Sequence, residues 1–520
     1  TLVDNADNVI DGDTGTDSVS YAGAGNAITV TFDTTTTADD GGTYVGTDTL
    51  VSIEDITTGS GDDYFDITGT VDYNLNSGSG ADVFFFNTAV NGSLALETSD
   101  SAHLDFSAFT SSGITIDLSS AVSQTVAAAF DVRLTGTFTT ISGTTNSDDI
   151  TGTDAADTIW ADAGNDIING GDGADLLYGN AGQDTINGGL GNDTIFGGAD
   201  NDIIDGGADT DTFDESSSSN NFTITMDSTS GTSIGEGTDS LQNIENINTG
   251  SGDDTFNLGD AGVNVIDAAA GNDTVTILNA ISITVVRSGN DVTITDNATG
   301  VGNDQYLNVE QVNISGTSAD NLFLINDELD NIINGQGGTN TVDYSLVNAV
   351  ATVNILSSSV TASISGTDND TLINIQNINT GNQDDIFIIE ENAINNTLNA
   401  NGGDDTATYT KVSNVSGTIT AVSSSGTTTI TLDNSGESDV LENFETVNFV
   451  GSDNNDTFVI QDNSNNNIDG GAGTNTYDVS SFSTSDVTVN VDASLTASGS
   501  EIGTDTLVNI ENVITGGGDD

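Results

Sequence analysis

Residues 152–214 read GTDAADTIW, ADAGNDIIN, GGDGADLLY, GNAGQDTIN, GGLGNDTIF, GGADNDIID and GGADTDTFD, seven nonapeptides in one unbroken register. The sixth position is aspartate throughout: Asp157, Asp166, Asp175, Asp184, Asp193, Asp202 and Asp211. The eighth is apolar throughout: Ile159, Ile168, Leu177, Ile186, Ile195, Ile204 and Phe213. One apolar residue between glycine-rich turns predicts a very short strand that points a single side chain into a thin core. The ninth position alternates, as Trp160, Asn169, Tyr178, Asn187, Phe196 and Asp205. Two nonapeptides therefore make one coil, with aromatics stacked on one flank and Asn or Asp on the other.

Glycines at the first, second and fourth positions permit a turn with positive φ and leave backbone carbonyls bare. A hard cation such as Ca²⁺ takes six to eight oxygens, drawn from carboxylates and carbonyls. The pattern G-G-x-G-x-D-x-U-x resembles the RTX, or haemolysin-type calcium-binding, repeat family. The resemblance implies an all-β chain, a right-handed parallel β-roll or β-solenoid, with multiple Ca²⁺ ions held in the turns. Each ion would take a sixth-position carboxylate plus glycine-turn carbonyls from two neighbouring turns. In this sequence those ligands are Asp154, Asp157, Asp166, Gly170, Asp172, Gly173, Asp175, Gly179, Gly182, Asp184, Gly188, Gly191, Asp193, Gly197, Asp202, Gly206 and Asp211. Along one flank the ions would link Asp157, Asp175, Asp193 and Asp211, and along the other Asp166, Asp184 and Asp202. The resemblance also implies bacterial export through a one-step (type I) secretion channel, with folding outside the cell.

A longer repeat surrounds this block. Its marker is GTDTLVSIEDITTGSGDDYF (Gly46–Phe65), which returns at Gly237–Phe256, Gly366–Phe387 and Gly503–Asp520, and more loosely at Gly302–Phe323 and Gly436–Phe458. Each marker ends in a nonapeptide-like turn followed by a second about one coil later. The pairs are Asp63 with Asp82, Asp254 with Asp273, Asp320 with Asn340, Asp385 with Asp405, and Asp456 with Asn475. Stacked on neighbouring coils, the members of a pair can share an ion. Where the second member is asparagine the site loses a charge and is expected to bind more weakly. Between the turn pairs lie alternating segments such as AITVTF (Ala27–Phe32), FTITM (Phe222–Met226) and ATVNIL (Ala351–Leu356), which predict strands.

The chain thus divides into solenoid repeats over 1–82, a divergent β-rich insertion over 83–150, the nonapeptides over 151–214, and repeats of about 65–70 residues over 215–520. Within the insertion, Ser119–Val132 is compatible with either a short helix or a strand. Read tail to head, GGGDD (Gly516–Asp520) runs into Thr1–Val19 as the internal repeats run on, and pairs Asp520 with Asp17. The sequence therefore reads as one period of a longer array, covalent or assembled head to tail from copies of itself.

Three basic residues (Arg133, Arg287, Lys411) stand against 81 acidic ones, a net charge of −78. No basic patch for nucleic acid or an anionic membrane can be built from them. Such a charge repels itself apart unless neutralised, and divalent cations at the turn carboxylates are the economical counterions. Cysteine and proline are absent, so no disulfide staples the fold. No stretch has the length and apolarity of a membrane span, and Thr1–Ile10 has no basic n-region of a signal peptide. No catalytic motif is present, and the single histidine, His103, reads as structural, so the chain is not expected to be an enzyme. The expected role is a structural protein of an extracellular filament, sheath or surface layer. The alternative is an adhesin module binding a cell-surface polysaccharide, a cell or ice, for which the exposed aromatics of Phe84–Phe86 would be a hint.

Overall fold

The computed structural model describes residues 5–520 except 34, 42–44, 228–229, 260–264, 281, 289–290, 297–302, 328, 357, 365, 367, 391–394, 412–417, 425–426, 433–437, 462, 483–485 and 491–494. No helix occurs among the described residues; the regular structure is strand throughout. The chain forms two units, Thr1–Thr255 with Asn264–Gly271, and Phe256–Val263 with Asn272–Asp520.

In the first unit the nonapeptide spacing becomes a coil of 18 residues. Thr158–Trp160 lies parallel to Leu176–Ala181, and that strand to Thr194–Ala199, each residue facing the one 18 places on. Ile167–Asp172, Thr185–Leu190 and Ile203–Ala208 repeat the arrangement in a second sheet. The eighth-position residues stack into two columns, Ile141–Ile159–Leu177–Ile195–Phe213–Ile247 and Ile116–Ile150–Ile168–Ile186–Ile204–Leu241, all buried. The ninth-position flanks are as the alternation predicts. Trp160, Tyr178 and Phe196 stack at centroid spacings of 5.7 and 4.4 Å, while Asn187 Nδ2 donates to Asn169 Oδ1 at 3.0 Å.

Region 83–150 continues the same ladder. The strand Asp82–Asp105 runs parallel to Tyr64–Asn76 on one side and to Phe130–Ser142 on the other. Phe84 and Phe86 are fully buried and stack on Phe65 (4.8 Å) and Phe106 (4.1 Å). Strand alternation turns the first and third rings of the Phe84–Phe86 triplet into the core and leaves Phe85 half-buried on the other face, stacked on Tyr64 at 5.9 Å, so the three do not form one exposed cluster. Ser119–Val132 contributes an antiparallel pair, Gln124–Ala127 with the start of Phe130–Ser142. His103 is half-buried, with Nε2 2.9 Å from Ser142 Oγ, and burial lowers its pKa.

The alternating segments open three-stranded meanders that lie within the sheets. In the second unit Ile332–Asn334 runs parallel to Asp370–Ile373, which turns antiparallel to Ser359–Ile364, and that to Ala351–Leu356, which runs parallel to Ile386–Glu390. Val9–Asp11, Thr47–Val51, Thr36–Asp39, Thr29–Phe32 and Tyr64–Asn76 do the same in the first unit. Each meander widens one coil while returning the chain to register.

The long marker supplies acceptors that close the corners. Its Glu or Gln accepts the backbone N–H of a turn residue on the preceding coil: Asp17 to Glu54, Asp211 to Glu245, Asp273 to Glu310, Asn340 to Gln376, Asp405 to Glu445 and Asn475 to Glu511, all at 2.7–2.9 Å. An aspartate near its start closes the other corner as a buried clasp. Asp370 Oδ1 accepts from Asn331 N–H at 2.9 Å and its Oδ2 accepts from Tyr344 Oη–H at 2.7 Å. Asp48 with Asn8 and Tyr21, Asp439 with Asn396 and Tyr409, and Asp505 with Asn466 and Tyr477 repeat the clasp.

Burial pushes Asp370 up to about 7, partly offset by the Tyr344 hydroxyl and Asn331 N–H, with Asp327 and Asp368 adding repulsion. A folded value above the unfolded one means that this group's contribution is complete below the unfolded range and is lost as pH rises through about 7. The second unit should therefore lose denaturant resistance between about pH 5 and about pH 8 through this group, and Asp370→Asn should lessen that loss. Urea midpoints at the two pH values check this; an unchanged pH dependence in the variant would contradict it.

Candidate metal centres in the coil turns

The turn aspartates form two chains of backbone-to-carboxylate bonds. Asp157 N–H donates to Asp175 Oδ1, Asp175 to Asp193 and Asp193 to Asp211, at 2.7–2.8 Å. On the other corner Asp148 donates to Asp166, Asp166 to Asp184 and Asp184 to Asp202, at 2.7–2.8 Å. One oxygen of each carboxylate is thereby occupied. The second, Oδ2 of Asp166, Asp175, Asp184, Asp193, Asp202 and Asp211, is buried and has no hydrogen-bond partner.

Beside Oδ2 of Asp175, Asp184 and Asp193 lies another acceptor. A Cβ added to Gly188 would meet Asp193 Oδ2 at 2.3 Å and Gly206 O at 2.4 Å; at Gly179 it would meet Asp184 Oδ2 at 2.5 Å and Gly197 O at 2.6 Å. Gly170 stands in the same relation to Asp175 Oδ2 and Gly188 O. Carboxylate and carbonyl thus crowd the same first-position glycine with no proton between them. A buried acceptor left unpaired costs about 1–3 kcal/mol, and more when charged. Burial accordingly pushes Asp166, Asp175 and Asp202 up to about 7 and Asp211 up to about 6. An oxygen-seeking divalent cation satisfies both groups at once, so the residues present fit Ca²⁺. Among the described residues no three acidic, histidine or cysteine side chains converge on a point. Coordination in these turns would therefore lean on carbonyls, which the glycines leave uncovered.

The looser turns reproduce the motif. Asp63 N–H donates to Asp82 Oδ1 at 2.8 Å and Asp385 N–H to Asp405 Oδ1 at 2.6 Å, and all four carboxylates are buried, with the Thr58, Ser77 and Thr380 hydroxyls beside Asp63, Asp82 and Asp385 partly offsetting the upward push of burial on their pKa values. Asp17 Oδ2 is unpartnered. Asp254, in the first unit, accepts Phe222 N–H at 2.8 Å, and Asp273, in the second, donates its N–H to Glu310. Asp520 Oδ1 accepts Val487 N–H at 2.9 Å.

Several expected ligands stand differently. Asp154 and Asp172 are exposed. Asp157 Oδ2 is capped by Thr153, whose N–H and hydroxyl donate at 2.6 and 3.0 Å. Asp456 Oδ2 is capped by Ser452 N–H and Oγ–H at 2.7 and 2.9 Å, and its Oδ1 accepts from Lys411 Nζ at 2.5 Å. Asn321, one residue beyond Asp320, holds the turn position facing Asn340. Asp320 is exposed, its Oδ1 accepting Thr339 N–H. Sequence reading also passed over Asp148, capped by Thr144 N–H at 2.6 Å. The signal was available: threonine or serine four residues before the turn residue, where the other nonapeptides have glycine, aspartate or asparagine. The marker Glu or Gln residues were visible too, each after an Ile, Val or Phe, but nothing local says which N–H they accept.

The family model of the RTX calcium-binding nonapeptide repeat matches residues 142–177, 178–213 and 242–275. Those segments are similar to RTX repeats, a family whose repeats bind calcium. No curated protein matches the chain.

Second-position glycines such as Gly189 hold φ of +117°, and a Cβ there would lie 2.0 Å from Gly171 O. Gly189→Ala should therefore destabilise the block by about 2 kcal/mol or more, read as a lower denaturation midpoint; an unchanged midpoint would contradict the packing described. Asp193→Asn places an amide where Oδ2 faces Gly206 O. Equilibrium dialysis should then find about one calcium ion fewer per chain, and an undiminished complement would count against the assignment.

Proposed function

We propose that this chain is a secreted bacterial structural protein whose β-solenoid coils are clamped by calcium outside the cell. It would build an extracellular assembly (filament, sheath or surface layer) by end-to-end continuation of its coils. The observation that carries the reading is the row of buried, partnerless Oδ2 atoms from Asp166 to Asp211, of which those of Asp175, Asp184, Asp193 and Asp211 crowd a first-position glycine together with one of the chain's own carbonyls. Without a cation these acceptors oppose folding; with one they bind neighbouring coils together. A ligand that binds only the folded state stabilises it by mass action, and extracellular calcium modules need affinities of only about 10⁻⁴–10⁻³ M. The net charge of −78 points the same way, since calcium also relieves the repulsion that keeps the unloaded chain extended. RTX repeats are characteristic of secreted proteins, which supports type I secretion as the route. The role proposed is mechanical rather than enzymatic.

The assembly reading draws on the ladder. A parallel strand edge is a template for a further strand, and every coil here presents the same backbone spacing. Asp520 accepts a backbone N–H as interior turn carboxylates do, and Asp17 has a partnerless Oδ2. A further coil would continue either edge, whether it belonged to the same polypeptide or to a second copy. One feature favours the adhesin reading instead: a cleft of about 310 Å³ in the first unit, lined by Asp72, Tyr73, Asn74, Leu94 and Arg133, offers an aromatic ring beside one of the three cations.

Circular dichroism tests the calcium claim. The strand signal should appear on adding calcium and collapse in excess EGTA; full strand signal in EGTA would sink it. Electron microscopy of the calcium-loaded chain should show end-to-end polymers. Strict monomers at high concentration would remove self-assembly and leave the covalent array and the adhesin reading.

A further inference from the structure

We propose that this chain carries two kinds of turn, one that takes calcium and one in which its own side chains stand in for the ion, and that the second kind holds its coils without metal. The inference rests on the calcium reading of the aspartate turns and goes beyond it by assigning which turns do not use it.

The asparagine turns show how the substitution works. A Cβ on Gly470 would meet Asn475 Nδ2 at 2.6 Å and Asn509 O at 2.3 Å, the layout found around Gly188 with a nitrogen in place of Asp193 Oδ2. The difference is a donor. Asn475 Nδ2 donates to Asn509 O at 3.0 Å and to Ala472 O at 3.3 Å. Asn340 Nδ2 donates to Asn374 O at 2.8 Å and Gly337 O at 3.0 Å, and Asn321 Nδ2 to Gly335 O at 2.9 Å and Ala319 O at 2.8 Å. The carbonyls that an aspartate leaves for a cation are here satisfied by the amide. These are not weakened calcium sites, as charge counting alone suggests; they have no acceptor left to offer.

Asp456 reaches the same end with its charge intact. Lys411, on the coil before it, is buried with Nζ 2.5 Å from Asp456 Oδ1, and Ser452 saturates Oδ2. In a chain of three basic residues, one is spent inside a turn. An ammonium supplies both the positive charge and the donors that a buried carboxylate requires. Thr144 and Thr153 cap Asp148 and Asp157 where the nonapeptide array begins. In the second unit Asn321, Asn340 and Asn475 put a donating Nδ2 where Asp166 to Asp211 of the first have a partnerless Oδ2, and Asp456 Oδ2 is capped by Ser452.

Hydrogen exchange read by mass spectrometry on the full chain, across a calcium–EGTA series, tests this. The amides of Asn321, Asn340, Asp456 and Asn475 should stay protected at calcium levels where those of Asp175, Asp184 and Asp193 have lost protection by roughly tenfold or more. Loss of both sets at one calcium level would overturn the inference while leaving the calcium reading standing. Insensitivity of the Asp175–Asp193 amides to calcium would overturn both. Lys411→Met strips Asp456 of its internal cation, so its turn should become calcium-dependent; protection retained in EGTA would overturn the role given to Lys411. Should that variant fail to fold, Asn340→Asp provides the reciprocal reading, with about one additional bound ion expected. No additional ion would overturn the rule.

Discussion

An acceptor set against an acceptor is the constraint on which the nonapeptide block turns. Each turn aspartate from Asp166 to Asp211 has given one oxygen to the backbone of the preceding coil, and at Asp175, Asp184 and Asp193 the other oxygen shares the space beside a first-position glycine with a glycine carbonyl. The geometry follows from the strand ladder and the first-position glycine, which bring two coils close enough that a Cβ would not fit. No rearrangement of the chain supplies the missing proton or charge. The coils can close only if the carboxylate is protonated or a cation enters.

That constraint also explains the composition. A thin solenoid buries one apolar side chain per strand on each inward column, which is little core for its length. Hydrophobic burial in such a coil is modest, and there are no disulfides to supplement it. The stacked rings Trp160–Tyr178–Phe196 and the Asn–Asp–Tyr clasps add local support. Where the chain fills its own turns with Asn, Thr, Ser or Lys, the coil geometry is kept while the demand for metal is dropped. Metal need is therefore set turn by turn, by the residue at the turn position and by the donors that reach it, local as with Thr153 or distant as with Lys411.

Much of the fold was legible because the repeat writes its geometry into fixed offsets. Seven aspartates and seven apolar residues in register specify the coil length, the inward column and the aromatic flank, and the structure places all three as read. Less was legible where the offsets break. Phe84–Phe86 looked like a surface cluster because a run of three aromatics does not say which rings face inward. The meanders were readable as strands, and their antiparallel course comes from hairpins between neighbouring segments, but their place in the sheet depends on parallel pairing with segments far away in sequence. The candidate site was divided in the same way. Aspartate positions could be counted, whereas Lys411 and Asp456 lie 45 residues apart and meet only through the ladder. Asp157 and Asp193 look equivalent in the repeat, and a threonine four residues earlier makes them chemically different.

The most direct measurement is an anomalous difference map from crystals of the full chain grown in calcium. The account predicts peaks within coordination distance of Oδ2 of Asp166, Asp175, Asp184, Asp193 and Asp202, and none at Asp148, Asp157 or Asp456. A map with no peaks along the Asp166–Asp202 turns, from crystals whose coils are closed as described, would contradict it.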